Sequence, residues 1–189
     1  MISFAGIALS SVLLFGTTVG VPHHQVHILP APSQVVEKQA PEIQGRLKIP
    51  KINVDAGLDT VGLTPQGAVD VPKDLKSAAW FDLGPRPGES GNSVIVGHYG
   101  WKKGIPAVFN NLHKLEKGDK LYLEDASGVR TTFVVRESRS FDPDAEAPEV
   151  FLSSDGKSHL NLITCEGVWN KASKNYSQRL VVFTDKEES

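Results

Sequence analysis

Three side chains in this sequence can supply the parts of an acyl-transfer reaction. Cys165, the single cysteine of the chain, closes the apolar run HLNLITC. In an extended strand Leu160, Leu162 and Thr164 share one face of that run, while Asn161, Ile163 and Cys165 share the other. Cys165 is thereby the last residue of an apolar strand, where a side chain can leave the core for a groove. His98 stands at the end of a similar run, NSVIVGHYG, on the side of Val94 and Val96 and just before a break at Gly100. Arg179 opens a third run, RLVVFT. Thiol catalysis needs a base or imidazolium partner that favours thiolate and later protonates a leaving amine. It also needs donors for a tetrahedral oxyanion, which an arginine and backbone amides can provide. If the strands that end at Cys165 and begin at Arg179 are antiparallel neighbours, both residues come to the same edge.

The elements that position these groups read as mainly β. Short runs rich in Val, Ile and Leu, punctuated by Gly, Pro, Asn and Asp, predict strands over residues 47–52, 60–63, 93–98, 120–124, 129–138, 159–165 and 179–184. So many short strands in one domain imply a barrel or sandwich. Helix-like apolar spacing occurs over 105–115 (IPAVFNNLHKL), with a weaker case near 149–152. The stretch EGVWNKASKNYSQ after Cys165 has no regular period and reads as a long, functional loop.

Residues 1–21 contain no charged residue and are rich in Ile, Leu, Val, Phe, Ala and Gly. The run is long enough to cross a bilayer as one helix and reads as an anchor, with a cleaved signal peptide as the competing reading. Residues 22–45, with repeated Pro, Gln and Ala, read as an extended linker, in which His23, His24 and His27 are incidental. The catalytic domain is then 46–189. Such a domain stands outside the cytoplasm, where structural cysteines normally pair. A lone thiol there is an inert buried residue, an intermolecular bridge or a reactive group. At 189 residues the chain has room for one domain with a real core. Its formal net charge of -2 gives no reason to expect nucleic acid as a partner.

The segments VGHYG, LITCEG and YSQRLVVF, in that order, resemble the three signature segments of the sortases, cell-surface transpeptidases of mainly Gram-positive bacteria. LKIPKINVDAGL and FNNLHKLEKGDKLYLED are further similar stretches, and the resemblance covers nearly all of residues 46–183. The compact domain and the wording TCEGVW and RLVVF look most like class F. The resemblance implies an eight-stranded β-barrel with one or two short helices, Cys165 as nucleophile, His98 as acid/base partner and Arg179 as the donor that positions substrate and stabilises the oxyanion. Thr164 matches the family's Thr-Cys dipeptide and is expected to help orient the substrate carbonyl. Glu166 and Gly167 follow the nucleophile and join the expected substrate-binding set. Trp169 and Tyr176 flank the predicted groove, where they either line it or pack the loop. The implied chemistry is cleavage of an LPXTG-like sorting signal between Thr and Gly through a thioacyl-enzyme. An amine, such as a peptidoglycan precursor or a pilin lysine, or water then resolves it.

Asp142, Asp144, Glu146 and Glu149 stand where some sortases bind calcium, but the stretch lacks the spacing of a calcium loop. No metal site is assigned and no cofactor is called for. His113 and His159 read as surface or structural residues. An L,D-transpeptidase would carry a histidine and glycine close before the cysteine and an arginine just after it. Here Glu166 and Gly167 follow, and Arg179 is distant. An exported cysteine peptidase shares the Cys and His, and a non-catalytic surface-binding barrel would account for the anchor and the strands. The latter leaves an unpaired cysteine near a strand-end His and Arg without a reason.

Overall fold

The computed structural model describes residues 45–188. The anchor expected over 1–21 and nearly all of the linker lie outside them. Gly45, read as linker, already belongs to β1 (Gly45–Ile49), which buries Leu47 and Ile49. Pro50 then ends the strand, because its ring offers no N–H to a ladder. A 3-10 turn over Pro50–Ile52, with Asn53 in the left-handed region at φ 55°, feeds β2 (Val54–Val61). The strand expected over 47–52 is therefore two elements, and the one expected over 60–63 begins earlier.

β3 (Ala78–Phe81) runs parallel to β2 and antiparallel to β4 (Gly91–Gly97). A two-residue pair, β5 (Trp101–Lys102) and β6 (Ile105–Pro106), follows, then β7 (Lys120–Asp125) and β8 (Arg130–Phe141). A single helical turn, α1 (Pro148–Phe151), precedes β9 (Ser158–Asn170) and β10 (Asn175–Lys186). Eight strands close into a barrel in the order β1-β2-β3-β4-β9-β10-β8-β7.

The helix expected over 105–115 is replaced by β6, turns and a 3-10 turn at Leu112–Lys114. Pro106 and the Asn110-Asn111 pair oppose helix there. The apolar spacing instead sends Phe109, Leu112 and Leu115 into the barrel core beside Leu47, Ile95 and Phe133. Each such fully buried side chain contributes about 1.5–3 kcal/mol relative to exposure.

A second apolar layer lies on the outer face of β4, β9 and β10, where Val94, Val96, Val181 and Phe183 pack with Val150 of α1. Two buried asparagines fasten α1 there. Asn92 Nδ2 donates to the carbonyls of Glu149 at 2.8 Å and Leu152 at 3.0 Å, and Asn161 Nδ2 donates to Val150 O at 2.7 Å. No helix of the described residues is long and apolar enough to cross a membrane.

Candidate active site

The outer face of β4, β9 and β10 has two ends. One is covered by α1, and the other carries His98, Cys165 and Arg179. In the antiparallel β9/β10 ladder Cys165 stands directly opposite Arg179. Facing residues project from the same side of a sheet, with Cβ atoms about 5 Å apart. β4 and β9 are parallel, with Val96 level with Ile163. β4 ends at Gly97, and carrying this register on by two residues brings His98 to the level of Cys165, one strand spacing of about 4.8 Å away. Three residues distant in sequence are thus brought to one row, Cys165 and Arg179 by the β9/β10 ladder and His98 just past the end of β4.

Each is held by its surroundings. His98 Nε2 lies 2.8 Å from Pro72 O. A carbonyl can only accept, so Nε2 carries the proton, and Nδ1 of the neutral ring keeps its lone pair. The His98 carbonyl accepts from Phe109 N at 3.0 Å. Gly97, one residue before, leaves space that a Cβ would fill at 2.5 Å from Phe109 Cδ2 and 2.7 Å from Val108 Cγ1. Arg179 is turned back along β10: Nη2 donates to Asn175 Oδ1 at 2.7 Å, and Nη1 to the carbonyls of Gln178 at 3.0 Å and Tyr176 at 3.4 Å. Of five guanidinium donors, Nε–H and one Nη2–H remain free for another acceptor.

Cys165 is half-buried. Burial pushes its thiol above the usual range, and the Arg179 charge opposes that shift. The resting sulfur is a thiol, with Arg179 placed to favour the charge once it forms. Burial, together with the neighbouring Cys165 and Tyr99, pushes the Tyr176 phenol up as well.

The other predicted residues divide. Tyr176 and Trp169 face each other across the ladder with ring centroids 5.0 Å apart, and Tyr99 meets Tyr176 at 5.2 Å. This aromatic row adjoins the thiol. Thr164 points into the barrel, where its buried hydroxyl donates to Gly97 O at 2.8 Å. It ties the residue before Cys165 to the residue before His98, fixing their relative height. Glu166 accepts from Ser140 Oγ at 2.5 Å, on the β8 side of the sheet.

Gly167 sits at φ 82° in a bulge, where Gln178 pairs Glu166 and Tyr176 pairs Trp169. A Cβ at Gly167 would meet Ser177 Oγ. The segment expected to be an irregular loop is thus a β ribbon turning at 171–174, and Cys165 is not a strand's last residue. The bulge shifts the alternation by one residue, which hides the strand from a period-2 reading.

Two supports were not anticipated. Pro72 O, 26 residues before His98, has no local sequence signal, whereas Asn175 lies only four residues before Arg179. His159 is buried between Asp155 and Asp185, at 3.1 and 2.7 Å, away from the row. His113 lies exposed in the 3-10 turn. Glu149 pairs with Arg139 at 3.2 Å.

A closed eight-stranded barrel with Cys, His and Arg aligned at one end of its outer face defines the sortase architecture. The family model for the Sortase domain matches residues 47–187, and the chain belongs to the sortase family. Sortase A of Bacillus anthracis is 29% identical over 144 residues, 76% of this chain and 60% of that protein. The chain thus spans somewhat under two thirds of that relative's length. The structure of Streptococcus agalactiae sortase C1 in complex with MTSET superposes with a TM-score of 0.62 at 24% identity, covering 78% of this chain and 70% of the other. Sortase C-1 of Actinomyces oris gives a TM-score of 0.62 at 23% identity, covering 78% and 76%. These two likenesses are of fold.

Proposed function

We propose that the protein is a cysteine transpeptidase that cleaves an LPXTG-like sorting signal and transfers the acyl group to an amine or to water. The observation that carries this reading is the single row of His98, Cys165 and Arg179, made by the β4/β9 and β9/β10 registers. Cys165 Sγ, relieved of its proton by His98 Nδ1, attacks the carbonyl of the scissile Thr–Gly bond. The oxyanion that forms takes up the free donors of Arg179 together with backbone N–H groups. Collapse breaks the C–N bond, and the imidazolium returns the proton to the departing amine. A thioester remains. An incoming amine then attacks it, gives a proton to His98 and expels the Cys165 thiolate, which is reprotonated. Every step is acid/base and nucleophilic, so the reaction requires no cofactor.

The finer reading is a class F enzyme, supported by the wording TCEGVW and RLVVF and by the compact domain. We place residues 1–21 as a single-pass membrane anchor, 22–45 as the linker and 46–189 as an extracytoplasmic catalytic domain. The charge-free apolar run supports the anchor. Substrates are then surface proteins carrying the sorting signal, and acceptors are amines such as a peptidoglycan precursor or a pilin lysine. The test is to incubate the protein with a library of LPXTG-like peptides and several amines and to read the products by mass spectrometry. Cleavage after Thr with amine-dependent ligation is expected. Cleavage elsewhere in the peptide would favour a peptidase instead.

A further inference from the structure

Beside His98 the surface carries an unpaired basic hollow. A cavity of about 520 Å³ is lined by Lys73, Lys76, Lys102 and Lys103, with Asp74, Leu75 and Ile105. Both of its walls are braced on the site. Lys73 follows the Pro72 carbonyl that holds His98 Nε2, and Lys102 lies just beyond Gly100, whose carbonyl accepts from Ala107 N at 2.8 Å. Successive Cα atoms are about 3.8 Å apart, so Lys73, bonded to Pro72, has its Cα within about 10 Å of the imidazole, and Lys102, four residues along from His98, has its Cα at most about 15 Å from that of His98.

The charge there is one-sided. Among the described residues no carboxylate lies within ion-pair distance of the four lysines; Lys114, Lys117, Lys157, Lys171, Lys174 and Lys186 are also unpaired, and what distinguishes the four is that they line one hollow. Asp74, the one acid in the hollow, uses Oδ1 to cap its own turn through Lys76 N at 2.9 Å. The whole chain has a formal net charge of -2, so a hollow with four cations and one anion runs against the average.

Lys103 adds a separate observation. Trp101 pairs with Pro106 and Lys102 with Ile105, which leaves Lys103 and Gly104 as a two-residue hairpin loop at φ 51° and 78°. Positive φ at both central positions is a type I′ turn, in which Asn-Gly is favoured. A lysine is held in a backbone conformation that a smaller residue would adopt with less strain.

We propose that this hollow binds the anionic part of the amine acceptor, namely carboxylate or phosphate groups on the molecule whose amine resolves the thioester. The inference rests on the roles given above to Cys165 and His98. The entering amine must give its proton to His98, so it arrives on that side of the thioester, next to the lysine-lined walls. The leaving segment exchanges a proton with the same imidazole, but retaining it there would only slow its departure. An acceptor must instead be captured from dilute solution. A cationic hollow raises the local concentration of an anionic one, and an acceptor held near His98 presents its amine in an effectively unimolecular step.

The test has a binding arm and a turnover arm, both on the full chain. Inorganic pyrophosphate and the peptide Gly-Glu-Glu are titrated against isotope-labelled protein while the backbone amides of Lys76, Lys103 and Gly104 are followed by NMR. Saturable shifts with either probe support the site, and the probe that gives them identifies phosphate or carboxylate as the preferred anion. The shifts are expected to vanish in a triple variant, Lys76→Gln, Lys102→Gln and Lys103→Asn, whose last change also suits the turn and preserves the fold. Shifts with neither probe, or shifts that persist in the variant, overturn the proposal.

In turnover, Gly-Glu-Glu is expected to outcompete neutral Gly-Gly-Gly amide as acceptor by about tenfold at low salt. That preference falls by roughly twofold per lysine removed, so that it is nearly gone in the triple variant, and weakens as salt is raised, while hydrolysis of the sorting peptide is unchanged. Equal use of the two acceptors by the unaltered protein overturns the proposal. Anion binding at the lysines without any thioester at Cys165 would refute the transpeptidase reading and leave the anion site standing.

Discussion

Gly97→Ala tests whether tight packing behind His98 sets the geometry of the row. The added Cβ would lie 2.5 Å from Phe109 Cδ2, 2.7 Å from Phe109 Cε2 and 2.7 Å from Val108 Cγ1. Ordinary carbon contacts begin near about 3.5 Å, so relief needs a displacement of about 1 Å. Phe109 is fully buried in the barrel core and has no space to turn into. Overpacking of this kind costs about 1–3 kcal/mol. Gly97 is not in the left-handed region, so alanine also recovers about 0.4–1 kcal/mol by restricting the unfolded chain. The net loss is about 1–2 kcal/mol, a fall in Tm of roughly 3–8 °C for a domain of this size.

The effect on rate is expected to be larger. Gly97 O accepts the Thr164 hydroxyl and the next residue is His98, so a shift of about 1 Å there misplaces the base, which can lower the rate about 100-fold. Gly57→Ala is the control, because its Cβ would meet nothing within 4 Å. Thermal unfolding by circular dichroism and the rate of sorting-peptide cleavage are read for both variants. A Gly97→Ala protein with unchanged Tm and rate would refute the reasoning.

Other expectations follow from the same geometry. Asn175→Ala frees the Arg179 guanidinium from its 2.7 Å partner and should lower kcat/KM about tenfold with little change in Tm; equal loss of both would make Asn175 structural. Arg179→Lys keeps the charge but loses the planar fork, and sorting-peptide cleavage should fall by at least about tenfold, whereas full activity would reduce the residue to a surface charge. Burial holds the Cys165 thiol protonated at neutral pH, so its alkylation by iodoacetamide should be slow near pH 7 and accelerate as pH rises. Removing the opposing charge with Arg179→Gln should slow it further at any fixed pH, and rapid, pH-independent alkylation between about pH 5 and 8 would reveal a preformed ion pair instead. The Asp155 carboxyl is held far below the usual aspartate range by the Lys157 N–H, His159 and Ser153. A depressed carboxyl stabilises the fold above its unfolded pKa and loses that contribution as pH falls, so the Tm difference between the unaltered protein and Asp155→Asn should shrink from pH 7 to pH 3; a constant difference would contradict this.

The strands legible in the sequence were the longer runs rich in Val, Ile and Leu, whether buried on one face, as β7 is, or on both, as β4, β9 and β10 are. β7 and the barrel part of β9 fall where period 2 places them, and the predicted sides of Val94, Val96, Asn161 and Cys165 match the outer layer. β3 escaped because Ala78 and Trp80 enter the inner core while Ala79 enters the outer layer. With burial on both faces there is no alternation to read, and its four residues, two of them alanine, lack the run of Val, Ile and Leu that marks β4 and β10. The spacing of Phe109, Leu112 and Leu115 imitates a helix because three successive turns each send one side chain into the barrel. At the site, Cys165, His98 and Arg179 could be found from residue type and strand position. The inward aim of Thr164 follows from the same alternation, since it shares the face of Leu160 and Leu162. The Pro72 carbonyl is a backbone group brought in by tertiary folding, and no side-chain pattern signals it.

The most direct measurement is the mass of the intact protein after brief mixing with an LPXTG-like peptide and acid quenching. A species heavier by the acyl fragment, mapped to Cys165 by peptide digestion and discharged by an added amine, is the predicted result. It should be absent in Cys165→Ala, whose fold should persist because the residue is half-buried outside the barrel core. Peptide cleavage by a folded Cys165→Ala protein at the rate of the unaltered one would contradict the account.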